Sequence, residues 1–428
     1  MNYKDYFREK DRPKNIAVVG LGLHGEMVAD IKFLLRLGAY VSLFDVRSER
    51  RLAKFLPSLK EAGLVNMSLG KVSAHDLLDA DLIILSPEIS RKAVFLKKAV
   101  AKGTPVEFPD VLFLKLAPPI TLIGVMGACG KSTVCHMIYG VLKKSFAEYE
   151  NQGFNFIDPD STNGTLTHLK KIKTGDIILS RIPENMMEEY TSARISPHVA
   201  VITSLTLSAI SNMQDAFDIL KHQTYNNFIV APDRVVDAIK KQKDFTPKAK
   251  MLRTHAHNKA LALQATELFK VTSEVAQYSI DNFSGLKGRQ EIIKKIGGVE
   301  FYNDATSITP ASTLFALKNL SLNKNIILIF GGAYTGHDYR ELVRDIPLYA
   351  KVAILLPGSG SLGFRESLER LMDITYLRAP DLEEAVILAK ENAKKGDRVL
   401  FSPGCEAIGV DASRKDRAER FVKAVRSL

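Results

Sequence analysis

Between positions 127 and 133 the chain reads Gly-Ala-Cys-Gly-Lys-Ser-Thr. An apolar, strand-like run (120–125) leads into it and a helical pattern (134–142) follows. A strand that ends in a glycine-rich turn and restarts as a helix aims backbone N–H groups at one spot, where the helix dipole also favours negative charge. Phosphate oxygens suit such a spot. This reading places Gly127 and Gly130 in the turn and Lys131 on the β- and γ-phosphates, with a hydroxyl of Ser132 or Thr133 on Mg2+. Val125 stands where the strict P-loop spacing has its first glycine, so the loop is a variant that needs support from the rest of the chain.

The chain's 428 residues exceed one ordinary core and imply two or three domains. A hydrophobic content of 46% and a charged content of 25% are those of a globular protein. No apolar run approaches the length of a bilayer span, and the first ten residues lack the apolar core of a signal peptide. Cys129, Cys135 and Cys405 offer neither zinc-site spacing nor a disulfide framework. The expectation is a cytoplasmic protein with no membrane partner. The net charge of +11 comes from scattered pairs such as Lys143-Lys144 and Lys240-Lys241, and the chain has no tryptophan. A solvated basic surface, or clefts for polyanionic small substrates, accounts for this charge, so no nucleic-acid partner is expected.

Three segments follow one another. The first opens with a buried-strand pattern at 15–19, then Gly20-Leu-Gly-Leu-His-Gly25, an amphipathic helix to about Leu37, and a strand at 40–44 ending in Asp45. This is a βαβ unit with a G-x-G-x-x-G turn, and another strand at 81–85 ends at Ser86-Pro87. A nicotinamide dinucleotide and a UDP-sugar both carry the pyrophosphate such a helix N-terminus accepts. The second segment carries the Lys131 loop, strand patterns at 176–179, 198–203 and 227–230, and helical patterns at 213–221 and 258–269. The third has strand patterns at 299–302, 325–330, 352–356 and 398–401. Strands alternating with helices predict an α/β protein with mainly parallel sheets.

That order, with several local strings, resembles the Mur ligase family over nearly the whole chain, and most of all its MurD-like branch. The resemblance implies three α/β domains in series: a Rossmann-like domain over 1–118 that binds the UDP end of the substrate, a P-loop ATPase domain over 119–284, and a Rossmann-like ligase domain over 285–428. It explains the variant loop, since Gly127 and Gly130 match the two glycines of the family's G-x-x-G-K-[ST] string. It further implies that Gly22, Leu23, His24, Asp45, Arg47 and Asn163 hold the UDP-substrate. Asn258 would touch adenine, Arg289 (in Gly285-Leu-Lys-Gly-Arg289) would contact ATP, and Asp304 would hold the ribose. Lys221 falls where the family has a carbamylated, metal-binding lysine. The implied reaction joins an amino acid, D-glutamate in this branch, to UDP-N-acetylmuramoyl-L-alanine through an acyl-phosphate, using ATP and Mg2+. The expected state is a monomer.

The pattern breaks in two places. Where the family has a metal-binding glutamate, this chain has Ser180; where it has a histidine ligand, this chain has Ala209. Glu184, Glu188 and Glu189 are substitutes on paper, with a solvated helix face as the plainer expectation. At the amino-acid end, Thr306, Ile308, Ala407 and Arg414 replace the residues that serve D-glutamate, and Arg414 suits a carboxylate. A second reading is therefore a catalytically impaired protein that binds nucleotide or a UDP-precursor. The enzyme reading is favoured because Lys131, Arg289 and Asp304 all remain. A dehydrogenase built on the first βαβ unit leaves the Lys131 loop unexplained.

Overall fold

Apolar runs of four to six residues with no polar alternation need cover on both faces, and parallel sheets flanked by helices supply it. In the computed structural model the apolar runs at 16–19, 82–85, 199–202 and 326–330 lie inside sheets. The structure describes residues 3–9, 12–22, 25–127, 129–147, 154–157, 164–204, 218–241, 246–255, 257–334, 336–361, 374–407 and 414–428; at 9, 146–147, 154–157 and 414–415 only the backbone is considered. The described chain divides into two compact units, Met1–Phe283 and Ser284–Leu428.

Among the described residues, the first unit contains two large sheets and a two-stranded antiparallel ribbon, Arg8–Glu9 with Arg12–Pro13. One is built from β1 (Asn15–Val19), β2 (Tyr40–Asp45), β3 (Asn66–Leu69), β4 (Leu82–Leu85) and β5 (Val106–Glu107). Its strands are all parallel, in the order β3-β2-β1-β4-β5. The order reverses beside β1, so the C-terminal ends of β1 and β4 flank a crevice of the kind open α/β sheets use for ligands. The loop beginning at Gly20 and the Ser86-Pro87 turn emerge there. Helix α1 (Met27–Arg36) follows the glycine loop and buries Met27, Ile31, Phe33 and Leu34.

The other sheet comprises β6 (Thr121–Met126), β7 (Phe154–Ile157), β8 (Ile177–Arg181), β9 (Val199–Ile202), β10 (Phe228–Pro232) and β11 (Lys250–Thr254). It too is fully parallel, ordered β11-β10-β9-β6-β8-β7. Strand β6 sits between β9 and β8, so both neighbours deliver their C-terminal loops beside the one that follows β6. Helix α2 (Lys131–Ala147) and helix α4 (Asn258–Glu267) cover one face, with Val134, Ile138, Val141, Leu261 and Ala265 in a common apolar cluster. Helix α3 (Met187–Ser192) follows β8 on the opposite face.

The second unit holds one sheet: β12 (Glu291–Ile296), β13 (Val299–Asn303), β14 (Ile326–Phe330), β15 (Ala350–Leu355), β16 (Thr375–Arg378) and β17 (Arg398–Phe401). Its order is β12-β13-β17-β14-β15-β16, with β12 antiparallel and the rest parallel. Helices α5 (Pro310–Leu320) and α6 (Arg414–Ser427) flank it. The loops after β14 and β17 meet at the reversal of strand order, where the Gly331 amide donates to the carbonyl of Pro403 (2.8 Å). The expected α/β class with Rossmann-like parallel sheets is the observed one.

Candidate functional site

The glycine loop after β6 is folded against the end of β9. The Thr203 hydroxyl donates to the carbonyls of Met126 (3.2 Å) and Cys129, and the Cys129 amide donates to Ser204 Oγ (3.0 Å). Gly127 has φ +127°, and a Cβ there would lie 2.8 Å from the Ser204 backbone; Gly130 has φ +86°, and a Cβ there would lie 2.6 Å from Asn258 Oδ1. Both positions therefore exclude side chains on conformational and on spatial grounds. The contact at Gly130 also brings Asn258, the first residue of α4, against the loop, as the sequence spacing alone could not show.

Lys131 opens α2, and its side chain turns back over the loop to donate to the Gly127 carbonyl. The Val134 amide closes the first helical bond to the Gly130 carbonyl (3.0 Å). Ser132 and Thr133 stand in the same first turn, both partly exposed. A largely buried ammonium, loop amides and hydroxyls at a helix N-terminus are an arrangement whose chemistry suits an anionic group such as phosphate.

Ser180 does not reach this loop. It lies on β8 opposite Gly124 of β6, is buried, and its hydroxyl is 3.4 Å from Tyr190 Oη. The three nearby acids part company. Glu184, in the turn just beyond β8, has its carboxylate 3.6 Å from Lys131 Nζ. Glu188 pairs with Lys92 (3.1 Å) and Glu189 with Arg91 (2.8 Å), both on the segment that follows β4. Burial pushes the Glu189 carboxyl up, against the opposing pull of Arg91. The Asn185 amide donates to the Pro87 carbonyl on that same segment (2.8 Å). A cleft of about 200 Å³ lies between the two, lined by Pro87, Glu88, Phe108, Asn185 and Glu188 among others. For Glu184 the expected solvated helix face is corrected: it faces the lysine of the glycine loop.

Lys221 pairs with Asp218, three residues earlier, and its amine makes no hydrogen bond or ion pair to the glycine loop among the described residues. Leu23, His24, Asn163 and Ala209 lie outside the described residues, as does most of the helix expected over 213–221; Arg414 begins α6, with its side chain outside the description. Among the described residues, no group of three or more His, Cys, Asp or Glu side chains is arranged to hold a metal. Among the described residues, the side-chain oxygens around the glycine loop include the carboxylate of Glu184 and the hydroxyls of Ser132 and Thr133. One carboxylate with hydroxyls fits Mg2+, which keeps several waters and completes its shell with substrate phosphates.

In the first sheet, Asp45 ends β2 buried and accepts from the Leu21 amide (3.0 Å) and from the Arg47 amide (2.8 Å) and guanidinium (2.6 Å at Nη2). Burial alone would raise its carboxyl; the Arg47 and Leu21 hydrogen bonds outweigh that and hold it below the usual range. Arg47 also donates to the Gly22 carbonyl (2.9 Å), so Gly22, Asp45 and Arg47 form one connected group at the mouth of the first crevice. The Glu88 and Glu26 carboxylates add to Asp45 in holding the guanidinium charged.

In the second unit, Asp304 follows β13. It is buried and accepts from Ser402 Oγ (2.7 Å) and the Gln290 amide (3.2 Å). Burial pushes its carboxyl up to about 6, while hydrogen bonds from Ser307 and Ser402 and the charge of Arg289 pull it back. Arg289 and Asp304, predicted together, are thus neighbours. Sequence reasoning missed Arg417. It is buried one turn into α6 and donates to the carbonyls of Cys405 (3.0 Å) and Ala305 (3.4 Å), tying two loops together. Its helical register, three residues after Arg414, was the available signal.

The chain is similar to known proteins along its length. Residues 14–107 match the model of the MurD-like N-terminal domain of Mur ligases, and residues 288–405 match that of the Mur ligase glutamate ligase domain. A UDP-N-acetylmuramoylalanine–D-glutamate ligase from Bdellovibrio bacteriovorus is 30% identical, covering 99% of each chain. The enzyme of that name from Clostridium kluyveri is 27% identical, again over 99% of each. Among solved structures, the UDP-N-acetylmuramate–alanine ligase MurC of Thermotoga maritima superimposes with a TM-score of 0.58 at 15% identity, covering 97% of this chain and 99% of that one. The MurF ligase of Thermotoga maritima, solved with ADP, gives 0.56 at 16% identity, covering 88% and 92%.

Proposed function

This chain belongs to the Mur ligase family of ATP-dependent ligases, and we propose that it joins an amino acid to UDP-N-acetylmuramoyl-L-alanine in peptidoglycan precursor synthesis. The observation that carries the reading is the full-length match to D-glutamate ligases, with Lys131 on a glycine loop at the head of α2. D-Glutamate is the proposed acceptor partner, and the cytoplasm the proposed site of action.

The chemistry runs in two steps. A carboxylate oxygen of the UDP-linked substrate attacks the γ-phosphorus of ATP, releasing ADP and leaving an acyl-phosphate. The amino-acid nitrogen then attacks the acyl carbon, phosphate leaves, and an amide remains. Negative charge crowds onto phosphate oxygens in the first step, so donors fixed in advance stabilise it most. Lys131 and the loop amides supply positive charge there, with Asn258 beside them for the adenine. Mg2+, held through Ser132 or Thr133 and the phosphates, would supply further charge neutralisation. Lys221 is the proposed carbamylated ligand by resemblance alone; its Asp218 pair lends that role no support. Arg289 and Asp304 are the proposed nucleotide contacts of the second unit. Gly22, Leu23, His24, Asp45, Arg47 and Asn163 are those of the UDP-substrate, and Arg414 that of the incoming carboxylate.

The burial of Ser180 against Tyr190 favours a second reading, nucleotide binding without turnover. Phosphate release from ATP separates the two. With UDP-N-acetylmuramoyl-L-alanine and D-glutamate present, release should match the amide formed. Nucleotide binding without release, for any amino acid offered, would leave the second reading standing.

A further inference from the structure

We propose that Glu184 is the carboxylate partner of the glycine loop, orienting Lys131 and taking a water-shell contact to the Mg2+ of bound nucleotide; this rests on the ATP-dependent reading above. The argument begins with the sheet. In P-loop NTPases an acid joins the Ser or Thr of the loop in holding Mg2+, and in an open parallel sheet the loops that leave the C-terminal ends of adjacent strands lie side by side. Here β8 is that neighbour, registered Ile177 to Thr121 through Arg181 to Val125. The chain keeps to β6 for one more residue, the Ile182 amide donating to the Val125 carbonyl (2.9 Å). Glu184 follows two residues later and emerges beside the loop that opens at Gly127, its carboxylate 3.6 Å from Lys131 Nζ.

Three observations make this more than a passing surface pair. First, the lysine it approaches is held: Lys131 is only 14% exposed at its side chain and donates to Gly127 as well. Second, the segment is anchored from its other side by Asn185 on Pro87, Glu188 on Lys92 and Glu189 on Arg91. The next acids along the chain are thus committed elsewhere while Glu184 faces the loop. Third, Glu184 keeps 35% of its side chain exposed, so an incoming ligand can reach it, which buried Ser180 does not allow. One carboxylate with a hydroxyl suits a hydrated Mg2+ completed by phosphate oxygens.

Two opposite effects follow from removing this one charge. Without metal, the carboxylate competes with phosphate for the Lys131 ammonium, so Glu184→Gln should bind ADP as well as or better than the unmodified protein. With metal, the carboxylate draws Mg2+ to the loop, so the same change should reduce the gain in ADP affinity that Mg2+ confers by about tenfold or more. Titration calorimetry of the full chain with ADP, in EDTA and in MgCl2, reads both. Glu184→Asp should recover part of the Mg2+ gain. Glu188→Gln, whose acid pairs with Lys92, should leave both titrations unchanged. An equal Mg2+ gain in the unmodified protein and in Glu184→Gln would overturn the proposal while leaving ATP use intact. Failure of the unmodified protein to bind ADP in either buffer would overturn the ATP-dependent reading as well.

Discussion

At the scale of single residues, Asp30 is a buried ionisable group of the first unit held by backbone amides. It lies on α1 and accepts from the Leu166 (2.8 Å) and Thr165 (3.2 Å) amides, while Thr165 Oγ1 donates to Asp110 (3.2 Å). Burial pushes its carboxyl up to about 7, the Leu166 and Thr165 amides pull it down, and Asp110 pushes it up again. The folded protein therefore keeps a proton that the unfolded chain loses near pH 4. The contribution of Asp30 to stability therefore falls as pH rises from about 4 to about 7, and it levels off above that. Asp30→Asn removes this dependence. Urea denaturation should find the variant gaining about 3 kcal/mol on the unmodified protein between pH 5 and pH 8. A constant difference across that range would refute a protonated Asp30. Among residues with proposed roles, legibility followed locality. Gly127, Gly130 and Lys131 were readable because strand, turn and helix are contiguous. The direction of Glu184 was not, because it depends on how β8 pairs with β6 and on the Asn185, Glu188 and Glu189 contacts that turn those side chains away.

Among elements, α5 shows how local chemistry serves a distant loop. Thr309 Oγ1 accepts from the Ser312 amide and Ser312 Oγ accepts from the Thr309 amide, both at 3.2 Å, with Pro310 in the first turn. This reciprocal cap fixes where the helix starts, and so where the segment carrying Asp304 and Ser307 must end. Thr309→Ala should cost about 1 kcal/mol in chemical denaturation of the second unit. A loss below a few tenths would mean that packing alone sets the helix start. The strands divide cleanly by position. Those read from sequence are the inner strands of the three sheets, such as β4 and β14, every residue of which is buried. Those missed are the six edges of these sheets, β3, β5, β7, β11, β12 and β16, and the short ribbon of Arg8–Glu9 with Arg12–Pro13. Strands β3, β11, β12 and β16 have no fully buried residue, and β5 is only two residues long. An edge strand is recruited by the backbone of its neighbour, and its side chains need carry no apolar signal.

For the whole molecule, the apolar clusters decide which pieces can stand alone. Both clusters that cover the first sheet also take in residues of the second: Ala17 and Leu85 share one with Met126 and Ile229, and Ile16 and Leu43 share the other with Leu122 and Ile178. The two clusters of the second unit are built from residues from Ile293 onward. Residues 284–428 expressed alone should therefore unfold in one cooperative thermal transition. Residues 1–118 alone should show none and should bind a hydrophobic dye. Cooperative melting of 1–118 would make the first sheet an independent folding unit. The run from Glu184 to Glu189 joins two loops of the larger unit, touching Lys131 at one end and the Pro87–Lys92 stretch at the other. By thermodynamic necessity, whatever factor a ligand at one loop imposes on affinity at the other is returned in full. Any factor by which the proposed nucleotide changes the affinity for the proposed UDP-linked substrate is thus owed back in equal measure, and neither has a thermodynamic claim to bind first.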